Sequence, residues 1–163
     1  MIDLLNALVT GFDCAAIASN RGGVFSEDTA RLKKEVSIRE VLFLTRNRID
    51  RSLTAWPAIL RRLLVLSLIL FEPLFFALNV LLLIRLLKAE KPALVVSCNG
   101  GYPASQACLA LVVAAKYLSI PVSLSVVSTP TPRRSYLYFY EKLVDNLVWR
   151  SVSVVIVNAR SIV

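Results

Sequence analysis

Apolar positions are unevenly spread along this chain, and the densest run, Ala58 to Lys88, reads AILRRLLVLSLILFEPLFFALNVLLLIRLLK. Within its centre, Leu63 to Ile84, only Ser67, Glu72, Asn79 and the helix-breaking Pro73 depart from the pattern. The run approaches the roughly 20 residues that span a bilayer. Glu72-Pro73 falls in its middle, however, where a carboxylate is costly and proline removes a backbone donor. The pattern therefore predicts one long kinked apolar helix within residues 54–89, buried or membrane-associated at a surface, in preference to a transmembrane span. Arg61 and Arg62 before it and Arg85 and Lys88 after it suit the membrane-surface alternative.

After Lys91-Pro92 the pattern becomes regular. Short β-branched runs stand at Ala93–Cys98, Val122–Val127 and Ser153–Val157, with starts 122 − 93 = 29 and 153 − 122 = 31 residues apart. That spacing suits strand, crossover helix, strand. Ala104–Leu118 is nearly apolar throughout and should bury against a sheet. Ser135–Arg150 places Leu137, Tyr140, Leu143, Val144, Leu147 and Val148 on one helical stripe, with Glu141, Lys142 and Asp145 off it or at its edge. Glu141 and Asp145, four apart on one face, read as a surface acidic pair. Two βαβ units predict a parallel sheet with right-handed crossovers.

Upstream, Phe12–Ala18 reads as a buried strand preceded by a helix end over Leu4–Thr10, Asn20–Gly23 as a turn, and Val36–Thr45 as a further strand. The expected fold class is α/β, a Rossmann-like parallel sheet flanked by helices, in a single domain over residues 1–163. The chain opens inside a helix and stops just after a strand, so a fragment truncated at both ends is expected.

Composition narrows the chemistry. The 163 residues carry 19 Lys+Arg and 11 Asp+Glu, 19 − 11 = +8, and 56% are hydrophobic, which excludes a disordered chain. The absence of histidine removes His-based triads, His-containing zinc sites and any histidine acid or base. Cys14, Cys98 and Cys108 form no Cys-x-x-Cys pair and read as small hydrophobes in a reducing cytoplasm. Asp3 and Asp13 precede the first basic residue, Arg21, which is not the pattern of a secretory signal. Between Arg31 and Arg62, nine basic residues face only Glu35, Glu40 and Asp50, so this stretch carries +6 of the total. No aromatic interleaving, zinc motif or basic zipper accompanies the patch, so nucleic acid is not expected as a partner. An anionic membrane surface is the functional reading, on the inner face of the cytoplasmic membrane, against a solvated basic face.

In open parallel sheets, ligands bind beyond the carboxyl ends of the strands. Three stretches meet that condition: Asn99–Ser105, Ser128–Arg134 and Asn158–Ser161. In the first, Gly100 and Gly101 allow close approach to the main chain, Asn99 offers donors and an acceptor to hydroxyl groups, and Ser105 is placed to cap the next helix. An ordinary strand–helix turn is the alternative. Arg133 and Arg134 suit a phosphate or carboxylate, or are solvated loop charges. Neither a P-loop nor a Gly-x-Gly-x-x-Gly fingerprint is present. Glu72 reads as a buried carboxylate that nothing pairs with a substrate.

Lys91-Pro-Ala-Leu-Val-Val-Ser-Cys-Asn-Gly-Gly-Tyr-Pro-Ala-Ser105 resembles the N-terminal domain of family 4-type glycosyltransferases of the GT-B fold, which show a Lys-Pro-Asp strand followed by an Asn-Gly-Gly-Tyr-Pro-Gly-Gly-like loop. Pro130 to Arg134, Glu141, Asp145 and the Val157-Asn-Ala-Arg-Ser161 strand end follow in the same order. The resemblance covers residues 91–163 well and 1–90 in outline. It implies the acceptor-binding half of an enzyme that transfers a sugar from a nucleotide sugar to a glycan or lipid-linked acceptor, without metal or other cofactor. Asn99, Gly100, Gly101 and Tyr102 would face the acceptor, with Ser128, Thr129, Arg133 and Arg134 completing the substrate-binding set. Ser128-Thr129 stand where the family often has histidine, and the first strand and the donor domain have no counterpart, so this chain alone should be inactive. A noncatalytic membrane-associated α/β partner protein and a flavodoxin-like small-molecule module are the alternatives.

Overall fold

The β-branched runs after Lys91 form strands that lie side by side in one direction. In the computed structural model, which describes residues 15–20, 36–99, 105–126 and 135–157, they are β3 (Val95–Asn99), β4 (Val122–Val126) and β5 (Val154–Val157). Their order is β3-β4-β5 and both pairings are parallel. All five residues of β4 are buried, which marks it as the central strand covered on both faces. The chain divides into two compact units, residues 1–43 and 44–163.

In the first unit, β1 (Ala15–Asn20) pairs in parallel with β2 (Val36–Val41), in register from Ala15 opposite Val36 to Asn20 opposite Val41. Of the expected strand over Phe12–Ala18, Ala15–Ala18 lie in β1, which runs on to Asn20, and residues 12–14 lie outside the described residues. Among its described residues, Ala16 and Ala18 are exposed rather than buried as expected. The strand expected over Val36–Thr45 ends at Val41. Arg39 and Glu40, exposed, are accommodated within it rather than breaking it. The expected Leu4–Thr10 helix and residues 21–23 of the expected turn lie outside the described residues; Asn20 closes β1.

The second unit opens with α1 (Arg46–Ser52), capped by Thr45, whose hydroxyl accepts from the Arg48 N–H at 3.3 Å. The long apolar run follows as α2 (Ala58–Ser67), a 3-10 turn (Leu68–Phe71) and α3 (Glu72–Glu90). A 3-10 turn therefore interrupts the α-helical run immediately before Glu72-Pro73. Proline has no N–H for the carbonyl four residues back and its ring crowds that carbonyl, so the preceding turn tightens while Pro73 is tolerated in the first turn of α3. α3 ends at Lys91, left-handed at φ 48°, whose N–H donates to the Leu87 carbonyl at 2.8 Å.

One stripe of α3 is buried: Glu72, Phe76, Asn79, Leu83 and Leu87, spaced four, three, four and four residues apart. It packs chiefly on α4 (Gln106–Tyr117), which in turn lies on β3 and β4. Ala110, Ala114 and Ala115 of α4 are fully buried, and their small side chains let the layers approach closely. The last helix, α5 (Tyr138–Ser151), buries Glu141, Val144, Asp145 and Val148. Its inward face is therefore rotated from the expected stripe, leaving Leu143 59% and Leu147 42% exposed. The surface acidic pair is corrected accordingly: Glu141 and Asp145 are buried, and each makes a polar or electrostatic interaction there, which is what permits carboxylates inside.

Candidate functional site

The register aligns the carboxyl ends of the three strands of the second unit. Asn99 is opposite Val126, and Val126 is opposite Val157, so the chain leaves β3, β4 and β5 from one rim. α4 and α5 begin after β3 and β4 respectively, so their amino ends turn back toward that rim. Unpaired N–H groups at such helix starts favour anionic or hydroxyl-bearing ligands.

Of the residues expected to bind substrate, Asn99 is the last residue of β3. Gly100, Gly101, Tyr102, Ser128, Thr129, Arg133 and Arg134 lie outside the described residues, as do Asn158–Ser161. The described strands β3, β4 and β5 themselves end at adjacent positions on the common rim. Ser105 occupies the cap position of α4 with an extended backbone (φ −112°, ψ 100°), but its hydroxyl makes no capping hydrogen bond among the described residues. Its carbonyl instead accepts from the Leu109 N–H at 3.2 Å.

Beside these helix starts lies a polar cluster that was not legible in the sequence. Glu72, only 4% exposed, accepts a hydrogen bond from Gln106 Nε2 at 3.0 Å and faces Arg46 at 3.4 Å. The Tyr140 hydroxyl donates to the Glu72 carbonyl at 3.4 Å, and its ring meets Phe76 edge-on, centroids 6.5 Å apart. Arg46, Glu72 and Gln106 are each the first residue of a helix, and Tyr140 lies in the first turn of another. A carboxylate at the start of α3 also suits the helix dipole. With its oxygens engaged by Arg46 and Gln106, Glu72 ties helix starts together rather than serving as a general base. The signal available in the sequence was the carboxylate stranded in an apolar run, which had to find a partner; which one it found depends on residues 26 and 34 positions away.

Cys14 lies outside the described residues; Cys98 and Cys108 sit together between β3 and α4. Cys108 Sγ donates to the Cys98 carbonyl at 3.2 Å, and the Ser97 hydroxyl donates to the Cys108 carbonyl at 2.9 Å. Burial, with the neighbouring Cys108 second, pushes the Cys98 thiol above its ordinary range, so it is protonated at neutral pH. Both are half-buried rather than fully buried small hydrophobes. Away from the rim, Arg61 of α2 grips Asp50 of α1 through two nitrogens, the second at 2.7 Å, and this hydrogen-bonded guanidinium holds the Asp50 carboxyl below the usual carboxylate range.

Two small parallel sheets flanked by helices define a broadly Rossmann-like α/β fold. Among solved structures, the chain is similar to a protein assigned as a UDP-N-acetylglucosamine 2-epimerase from Listeria monocytogenes, at 13% identity with a TM-score of 0.52. The match covers 95% of this chain and 34% of that one, so the chain spans about a third of that structure's length. At this identity the likeness is one of fold, a GT-B-like arrangement. No family model matches the sequence. No curated protein matches it either.

Proposed function

We propose that this chain is the acceptor-side half of a GT-B glycosyltransferase, acting with a donor-binding domain to move a sugar from a nucleotide sugar to a glycan or lipid-linked acceptor. The observation that carries this reading is the level rim of three parallel strand ends, Asn99, Val126 and Val157, with the amino ends of α4 and α5 turned toward it. Such a rim is where open parallel sheets hold ligands. The Asn99-Gly100-Gly101-Tyr102 segment leaves the first of those ends, and its two glycines suit close contact between a sugar and the backbone. The GT-B-like likeness over 95% of this chain supports the architecture.

In this reading Asn99 binds acceptor hydroxyls, Arg133 and Arg134 meet an acceptor phosphate or carboxylate, and the buried Glu72 cluster holds the helix starts in place. The test is ligand-detected NMR on this chain with soluble oligosaccharides and with a short-chain polyprenyl-phosphate sugar. Binding of one of these, lost on Asn99→Ala and without transfer from any nucleotide sugar, is the expected result. Retention of a flavin through purification, or sugar transfer by the chain alone, would overturn it.

A further inference from the structure

The apolar surface of α2 takes no part in the packing of the second unit: none of its ten described residues is buried. Ile59, Leu63, Leu66 and Leu70 of the following turn recur at spacings of four, three and four, and form one stripe that is 74%, 60%, 61% and 80% exposed. Trp56, Leu60 and Phe71 widen it. Alongside the stripe, Ala58, Arg61, Arg62, Val65 and Leu66 line a shallow groove of about 550 Å³ together with Asp50 of α1. From Leu44 to Phe71 the charges are Arg46, Arg48, Arg51, Arg61 and Arg62 against Asp50, a net 5 − 1 = +4. Arg46 is turned to Glu72 and Arg61 to Asp50, while Arg51 and Arg62 are exposed.

We infer that α2 and the 3-10 turn after it dock in the plane of an anionic lipid bilayer. The stripe would sit at the boundary of headgroups and acyl chains, with Arg62 beside it and Arg51 nearby meeting lipid phosphates and Trp56 at the polar interface. Spanning is disfavoured on two counts. At ten residues α2 is about 15 Å long, half the roughly 30 Å hydrocarbon core. The continuation into α3, although the whole stretch Ala58–Glu90 is apolar enough by composition, is anchored to α4 by a buried face that includes an ion-paired glutamate. A second copy of this chain is the weaker occupant, because pairing two α2 stripes would bring two segments of charge +4 together, whereas an anionic surface attracts them. This inference is independent of the sugar-transfer reading.

The experiment is co-sedimentation of the full chain with vesicles of phosphatidylglycerol and phosphatidylcholine in equal parts, and with phosphatidylcholine alone. Binding to the anionic vesicles is expected, weakened about fivefold for each arginine removed in Arg51→Gln and Arg62→Gln. The double change Leu63→Glu with Leu66→Glu should weaken it on the order of a hundredfold while leaving the circular dichroism spectrum unchanged. In a Trp149→Phe chain, Trp56 emission should shift to the blue on adding anionic vesicles, a readout that leaves α2 itself unaltered. No binding to anionic vesicles, binding indifferent to the Leu63/Leu66 change, or a static Trp56 spectrum would overturn the inference. So would a dimer in light scattering that the same leucine changes disperse while vesicle binding is absent.

Discussion

α2 and α3 come from one apolar run and are almost equally rich in leucine, yet they have opposite fates. α3 buries a full stripe against α4, and α2 buries nothing. Leucine content does not separate them. What does is the pair of polar residues inside α3. Glu72 reaches Arg46 and Gln106, and Asn79, fully buried, bonds both backbone groups of Leu44: its Oδ1 accepts from the N–H at 2.9 Å and its Nδ2 donates to the carbonyl at 2.8 Å. Each polar group occupies the buried stripe and would be costly there unpaired, so the partners select one rotation of α3 about its axis. α2 carries no equivalent device; its polar contact, Arg61 to Asp50, lies near the surface.

The contrast can be broken most forcefully at Leu83, which is 1% exposed. Leu83→Ala should cost about 3 kcal/mol in urea unfolding, and Leu63→Ala in α2 less than about 0.5 kcal/mol. Equal losses would erase the distinction between the two helices. Asn79→Ala comes next: it leaves the Leu44 N–H and carbonyl without their side-chain partner and should cost about 2 kcal/mol. Hydrogen exchange at Leu44 should speed up with it, and an unaltered rate would show that Asn79 does not hold that segment. Glu72→Gln keeps the shape but removes the charge facing Arg46, which is itself partly solvated; a loss of about 1 kcal/mol is expected, smaller in high salt.

The smallest effect belongs to the Asp50–Arg61 pair, on the α2 side of the comparison. Its Asp50 carboxyl is held below its ordinary value, so folding binds fewer protons there than the unfolded chain does. The pair's contribution is complete above the ordinary carboxylate range and fades as pH falls through the lowered folded value. Asp50→Asn should therefore behave alike at acid and neutral pH in this respect, while the native chain loses a little stability on acidification. Identical acid profiles for the two would remove the pair from the stability of this region.

Much of the architecture is legible in the sequence. The spacing of the Ala93, Val122 and Ser153 runs announced parallel strands, and the Glu72-Pro73 pair announced a break in the regular α-helix. Both are local constraints: crossover length limits strand direction, and proline's missing donor acts within one turn. The inward face of α5 could not be read in this way. Leu143 and Leu147 looked like core and are exposed, while Glu141 and Asp145 looked like surface and are buried. Periodicity cannot choose between faces when buried carboxylates find partners elsewhere in the fold.

The candidate rim divides along the same line. That three loops leave a sheet at successive strand ends followed from order and spacing alone. That Asn99, Val126 and Val157 stand level, and that Glu72 gathers Arg46 and Gln106 beside the helix starts, required the pairing register and the packing of α3. Sequence determined which elements form and which way the strands run, because those depend on neighbours a few residues away and on connection length. Tertiary structure decided which faces are covered and which charges meet, because those energies depend on distances between residues far apart in the chain.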